Sequence, residues 1–472
     1  MKMTQNNTLL VTFLLFPLIS FSQSRLSDSK SEEITNYIKK TIKEIEIPGG
    51  AIAIIKDNKV VYKDYFGVSN LEYNIPVTDS SLFRLHSLSK IFVSVGIFQL
   101  IEQNKISLED EISKYLTDLP DNWKAIKIKN LLSHSSGLPD MREEINPSEE
   151  IALKNVYSKP IQFPIGERAR YNQTNFWLLN RIIRKITSSS FQNHISNQFE
   201  SASNVCFSNI SDIIPNRVME YKPNNTGQLK NYHFIVQEYM YGAGGITMTL
   251  NNLIDWDKKL NENALINEAS KKVMFTKFKY KVGTGFSYGW DVQNLNGTIS
   301  YGFNGGGLVN YRKFPSKNIS IIWLTNGHRR PHNIDNITNG IVGFIDKDLL
   351  DKTPESAKLL QELFSSNKPK KAIKEYHKIK KRYPYVNFKG VLNSLGYDFI
   401  NKKRIDKAIT VFKLNTKEHS KSANTFDSLG EGYFINKQYD LSLINYKKVI
   451  ELDSSNENAK KMIEKINNLL KK

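Results

Sequence analysis

A serine hydroxyl is a poor nucleophile until a base takes its proton, and one stretch of this chain sets a lysine where it can help. In Phe83-Arg84-Leu85-His86-Ser87-Leu88-Ser89-Lys90-Ile91-Phe92 the serine and lysine are three residues apart, so on a helical turn they share a face. A desolvated lysine becomes neutral enough to accept a proton. A helix beginning here also directs backbone N–H groups at charge developing near Ser87. The same spacing recurs from Ser27 to Lys30 and from Ser365 to Lys368, so the spacing alone singles out nothing. What distinguishes Ser87 is the strongly apolar helical run from Ile91 to Gln103 that follows it. Further along, Tyr171-Asn172-Gln173 offers a phenol and an amide, and Tyr301-Gly302-Phe303-Asn304-Gly305-Gly306-Gly307 a glycine-rich strand end. Taken singly, a tyrosine after Pro164 and Gly166 is packing and a glycine cluster is a hairpin turn. Their order along one chain is what gives them weight.

The elements that must position these groups are legible around them. Leu26 to Glu46 reads as an amphipathic helix that Ile47-Pro48-Gly49-Gly50 breaks. Ala51 to Ile55 and Lys59 to Phe66 then form a hairpin around Lys56-Asp57-Asn58. The middle of the chain, to about Leu265, mixes helices with Gly- and Asn-rich loops. Strands return at Thr298 to Phe303 and Ile319 to Leu324, flanking the glycine cluster. This pattern predicts a sheet built from N-terminal and C-terminal strands with a helical region inserted between. Ser87 then starts a helix coming off the sheet side, opposite a glycine-rich strand.

Read together, these motifs resemble the class C β-lactamase and penicillin-binding protein family over roughly Ile47 to Gly327. Ile128-Lys129-Asn130-Leu131-Leu132-Ser133-His134-Ser135-Ser136-Gly137-Leu138 is similar to that family's Leu-Leu-x-His-x-Ser-Gly-Leu segment, and Gly242-Ala243-Gly244-Gly245 to its later glycine-rich turn. The resemblance implies an α+β fold with an antiparallel sheet and a helical insertion. It also implies that Ser87 is acylated, that Tyr171 exchanges the proton beside Lys90, and that the N–H groups of Ser87 and Gly306 form the oxyanion hole. Gln173, Asn304 and Gly305 complete the expected substrate contacts, and no cofactor is implied. Two positions depart from the pattern. Gln173 stands where the family usually has Asn, keeping the amide on a longer arm. Phe303 stands where it has Lys or His, and offers neither charge nor proton. That points away from carboxylate-terminated substrates and toward an uncharged ester or amide. His134 reads as a structural histidine.

The 472 residues exceed a single core and carry a net charge of +19. The basic residues are spread along the chain without a nucleic-acid-binding signature, which is the pattern of a solvated lysine-rich surface. Lys2, the apolar run from Leu9 to Phe21 and Ser20-Phe21-Ser22 read as a signal peptide over residues 1–22, hence an exported, periplasmic or secreted protein with no transmembrane span after cleavage. The lone Cys206 forms no internal disulfide and reads as partly buried apolar filler. His328 and His332 are separated by two arginines and a proline, which argues against a metal site. Residues 23–350 are expected to form the hydrolase domain and residues 351–472 an all-helical one. In the latter, Leu395-Gly396 recurs as Leu429-Gly430, Ala408 as Ser442 and Phe412 as Tyr446, a tetratricopeptide-type period of 34 residues, with a divergent half at Ala372, Ile373 and Tyr376. Such repeats commonly take a protein partner. Two functional readings follow: a serine hydrolase that acts on an ester, amide or β-lactam-type carbonyl of a small-molecule or peptide substrate through an acyl-enzyme, and a β-lactamase-like domain weakened at Phe303 and Gln173 that serves as a binding module with the repeats.

Overall fold

The computed structural model describes residues 27–144, 148–200, 205–207, 211–233, 235–330, 332–454 and 456–471. The expected signal peptide lies outside them. The strands, in chain order, are β1 (Gly49–Lys56), β2 (Lys59–Asn70), β3 (Ile75–Pro76), β4 (Phe83–Arg84), β5 (Val205–Phe207), β6 (Tyr221–Pro223), β7 (Leu229–Asn231), β8 (Ile246–Met248), β9 (Asp291–Leu295), β10 (Thr298–Gly305), β11 (Val309–Phe314) and β12 (Ile319–Thr325). Seven of them form one antiparallel sheet in the order β3-β2-β1-β12-β11-β10-β9. N-terminal β1 and C-terminal β12 are therefore neighbours, with Ala51 opposite Leu324. The hairpin between β1 and β2 turns at Asp57 and Asn58, both with positive φ, the backbone that matches the twist of the flanking strands.

Alternation along the central strands divides two cores. Ile52 and Ile54 of β1, with Ile319, Ile321 and Trp323 of β12, face α1 (Asp28–Ile45) and the helix Ile334–Ile345. Ala51, Ala53, Ile322 and Leu324 face the inserted helical region. There α2 (Lys90–Glu102) is buried nearly all round, as an apolar helix without a polar face must be. It packs against a helix over Gln173–Thr187 and a short helix over Tyr241–Gly244.

Three strands of the sheet, β3, β9 and β11, were not expected, and β11 lies deepest in it. Its text, Val309-Asn310-Tyr311-Arg312-Lys313-Phe314, reads as polar, yet all six residues are buried. Distant carboxylates satisfy it: Arg312 pairs with Asp291 and Asp335, and Lys313 with Asp257. The glycine cluster is thus the β10–β11 hairpin turn as well as the strand end that faces Ser87.

Beyond the sheet, seven helices run Thr353–Ser365, Pro369–Arg382, Phe388–Asn401, Ile405–Glu418, Ala423–Ile435, Tyr439–Leu452 and Glu457–Leu470, with hydrophobic clusters of their own. The 34-residue period has a physical basis in their contacts. A Cβ on Gly396 would come within 2.2 Å of the Phe412 ring, and one on Gly430 within 3.1 Å of Tyr446, so glycine is what lets each helix pair close. Ala372 and Tyr376 of the divergent half are buried as well. No described helix is long and apolar enough to cross a membrane.

Candidate active site

Ser87 lies not in the α-helix itself but in a 3-10 turn, His86–Ser89, that leads into α2 at Lys90. In such a turn residues three apart are eclipsed, which suits the serine–lysine pair. Strand β8 pins the turn: Leu85 N–H donates to the Ile246 carbonyl at 2.8 Å and Ile246 N–H to Ser89 Oγ at 3.2 Å. On the other side sits β10. A Cβ on Gly305 would come within 2.0 Å of the Leu85 carbonyl oxygen, and one on Gly306 within 3.1 Å of the His86 ring, while Gly307 has open space around it. The glycines at 305 to 307 were expected to let the strand edge approach a substrate; at Gly305 the missing side chain lets the strand press against the turn that carries Ser87, and Gly305 lines neither cavity at Ser87.

Tyr171 is brought in from the helical region. Asn172 caps the helix Gln173–Thr187 by accepting from Thr174 N–H, and its own amide nitrogen donates to the Leu138 carbonyl at 2.5 Å. Asn172 N–H donates to Nδ1 of the fully buried His134 at 3.2 Å. Burial, then the charge of Lys90, hold His134 well below the ordinary imidazole range, so it is a neutral acceptor that shapes the loop. The Tyr171 hydroxyl donates to Ser87 Oγ at 2.6 Å.

Lys90 is 0 % exposed. Its Nζ donates to Gln173 Oε1 at 2.8 Å and to the Ala243 carbonyl at 2.6 Å, 5.0 Å from the centre of the Tyr171 ring. Burial lowers its basicity below that of an ordinary lysine, with Tyr171 the largest opposing influence. Gln173 completes the circuit, its amide nitrogen donating to the Tyr171 hydroxyl at 3.2 Å. One side chain thus joins the lysine to the tyrosine.

Two cavities flank Ser87. One of about 370 Å³ is lined by His86, Arg142, Gln173, Tyr232, Gly244 and Gly306 among others. The other, about 220 Å³, is lined by Tyr171, Phe286, Asp291 and Phe303. Ser87 and Asn304 border both. Phe303 is 5 % exposed, stacks on Phe286 and lies 5.9 Å from Tyr171 between ring centres, so an apolar wall stands where a cation is usual. Asn304 donates to Asp335 Oδ2 at 3.4 Å. Ala243 lies in the glycine-rich turn read from the sequence, whereas His86, Arg142 and Phe286, also at Ser87, were not singled out. His86 was visible as the neighbour of the serine; the others carried no local signal. Cys206 is half-buried on β5, as read.

Comparison with known proteins agrees with this geometry. A sequence profile of the family described as Beta-lactamase matches residues 34–341. Protein flp of Staphylococcus aureus (strain N315) is 25% identical over 189 residues, 37% of this chain and 37% of that protein. The chain's match thus spans little more than a third of the length of that relative. Among solved structures, the octameric penicillin-binding protein homologue from Pyrococcus abyssi superposes with a TM-score of 0.60 at 23% identity, covering 70% of this chain and 81% of the other. EstCE1, titled a hydrolase with promiscuous acyltransferase activity, does so with a TM-score of 0.56 at 18% identity, over 68% and 98%. At these identities the two structures speak for the fold.

Proposed function

The chain belongs to the Beta-lactamase family, and from that premise we propose that it is a serine hydrolase forming an acyl-enzyme at Ser87. The observation that carries the reading is the 2.6 Å hydrogen bond between Tyr171 and Ser87, backed by a fully buried Lys90 that Gln173 ties to the same tyrosine. In the first step Ser87 Oγ bonds to the substrate carbonyl carbon and its proton passes to the Tyr171–Lys90 pair, which shares it. The oxyanion is met by the N–H groups of Ser87 and Gly306. The pair then returns the proton to the departing alcohol or amine, and water cleaves the acyl-enzyme by the same route in reverse. A substrate straddling Ser87 has a cavity on either side for its acyl and leaving parts.

The substrate class is an uncharged ester or amide. Phe303 supplies an apolar surface against Tyr171, and a carboxylate set against it would lose hydration without an ion pair from that position, Arg142, a cation at Ser87, lining the other cavity. A β-lactam carbonyl has the right electrophilicity, but its carboxylate would meet that surface. The protein is further read as exported, and its C-terminal helices as tetratricopeptide-type repeats that take a protein partner. The 34-residue recurrence of glycine–aromatic contacts supports the repeat reading.

The test is intact-protein mass after incubation with a fluorophosphonate and, separately, with a penicillin, comparing wild type with Ser87→Ala. A fluorophosphonate adduct that disappears in Ser87→Ala is expected, with no penicillin adduct. A folded wild-type chain that takes up neither reagent would instead favour the binding-module reading. A Ser87-dependent penicillin adduct would overturn the substrate class while keeping the nucleophile.

A further inference from the structure

We infer that His86, held by Glu220, is a positioning residue for the hydrolysis proposed above, setting the separation between the two N–H groups of the oxyanion hole. His86 adopts φ +47°, in the left-handed region that histidine enters more readily than most residues but still at a cost. Such strain persists only where the surroundings fix it, and here they do so on three sides. His86 Nε2 lies 2.7 Å from Glu220 Oε1, across 134 residues of sequence, with side chains only 6% and 11% exposed. The ring lies against Gly306, where a Cβ would approach two ring carbons to 3.1 Å. Gly244 packs on the His86 backbone from the other direction, its notional Cβ 3.5 Å from the carbonyl carbon.

The same imidazole is therefore one peptide bond from the Ser87 N–H and in contact with the residue bearing the other N–H. It acts as a spacer between them, and Glu220 keeps the spacer from rotating. Burial alone would push the Glu220 carboxyl up, but the His86 ring, followed by Arg84 and Lys222, more than offsets this and holds it below the usual carboxylate range. The carboxylate thus stays an acceptor for the ring. Nothing in this arrangement requires His86 to touch the reacting carbonyl, and its effect runs through Ser87 and Gly306. The inference rests on the Ser87 reading.

The experiment is phosphonylation of the full chain over a range of fluorophosphonate concentrations, which separates the limiting rate from the half-saturating concentration, with melting temperature alongside. His86→Ala is expected to lower the limiting rate about 100-fold while moving half-saturation by no more than about twofold. His86→Asn, a residue at home at positive φ, keeps the fold if alanine does not, and loses the rate for want of the ring. Glu220→Gln, still able to accept from the ring, retains the rate within about threefold, and Glu220→Leu loses it. A folded His86 variant with the wild-type limiting rate, in a chain whose wild type is labelled at Ser87, overturns this inference alone. An unlabelled wild type would remove the Ser87 reading and this inference with it.

Discussion

Replacing Gly305 by alanine adds one methyl group, and the structure states where it would go. The new Cβ would lie 2.0 Å from the Leu85 carbonyl oxygen and 2.7 Å from Val309 Cγ2, whereas such contacts do not fall below 3.0 Å. The obstacle is backbone, and it is not free to yield. Leu85 N–H is bonded to Ile246 at 2.8 Å and the Leu85 carbonyl accepts from Leu88 at 3.0 Å, so moving Leu85 moves the Ser87 turn. Either β10 withdraws with Gly306 or the turn does, by about 1 Å, and the gap between nucleophile and oxyanion donor opens. A misplacement of that size costs about 100-fold in rate, or about 2.7 kcal/mol of transition-state stabilisation. Gly307→Ala is the control. Nothing lies within 4 Å of its notional Cβ, so only its φ of +73° matters, at about 1–2 kcal/mol of stability and little rate. The assay is kcat/KM on a 4-nitrophenyl ester for both variants, with melting temperatures. A Gly305→Ala chain that is folded and within about threefold of wild type would refute the argument, as would a Gly307→Ala chain equally slow.

Tyr171→Phe deletes the hydroxyl bonded to Ser87 and is expected to lower kcat about 10²- to 10⁴-fold with KM little changed, measured on the same ester. Because burial lowers the Lys90 ammonium below 10.5, its value in a free lysine, the neutral acceptor grows in, and acylation accelerates, as pH rises through that lowered value; a flat stopped-flow profile would contradict this. Stability carries the same sign: the Lys90 contribution is complete above the unfolded value and is lost as pH falls to the lowered folded one, a trend that chemical denaturation at several pH values reads directly. In the helical repeats, Gly396→Ala drives a methyl group to 2.2 Å from the fully buried Phe412 ring and should cost about 1–3 kcal/mol. Gly430→Ala, at 3.1 Å from Tyr446, should cost less, and urea unfolding ranks the two while ester turnover stays unchanged.

What could be read from the sequence was what local spacing encodes. The Ser87–Lys90 turn, the hairpin at Asp57 and Asn58, and the recurrence of Gly396 and Phe412 as Gly430 and Tyr446 are all set by residues a few positions apart or by a repeat. Strand β11 escaped because its polar residues look solvated until Asp257, Asp291 and Asp335 are brought to them by the fold. The reason for Gly305 escaped similarly, since the atom it avoids belongs to Leu85. His86 stood beside the nucleophile in plain view, yet its partner Glu220 is 134 residues away and no periodicity links them. Gln173 was recognised as an amide on a longer arm, but only the fold makes it the bridge between Lys90 and Tyr171.

The neighbouring of β1 and β12 also has a kinetic consequence. Their ends are joined across 277 residues, where Gly49 N–H donates to the Asn326 side chain, so the centre of the sheet is a contact of high sequence separation. Loop-closure entropy must be met before such pairing is rewarded, which slows folding. Until β12 arrives, the β1–β2 hairpin offers the apolar strand Gly49–Lys56 with one edge unpaired, the kind of edge on which chains aggregate. Refolding from dilute solution is therefore expected to give a higher yield than refolding at high chain concentration, since dilution protects that edge while it is open.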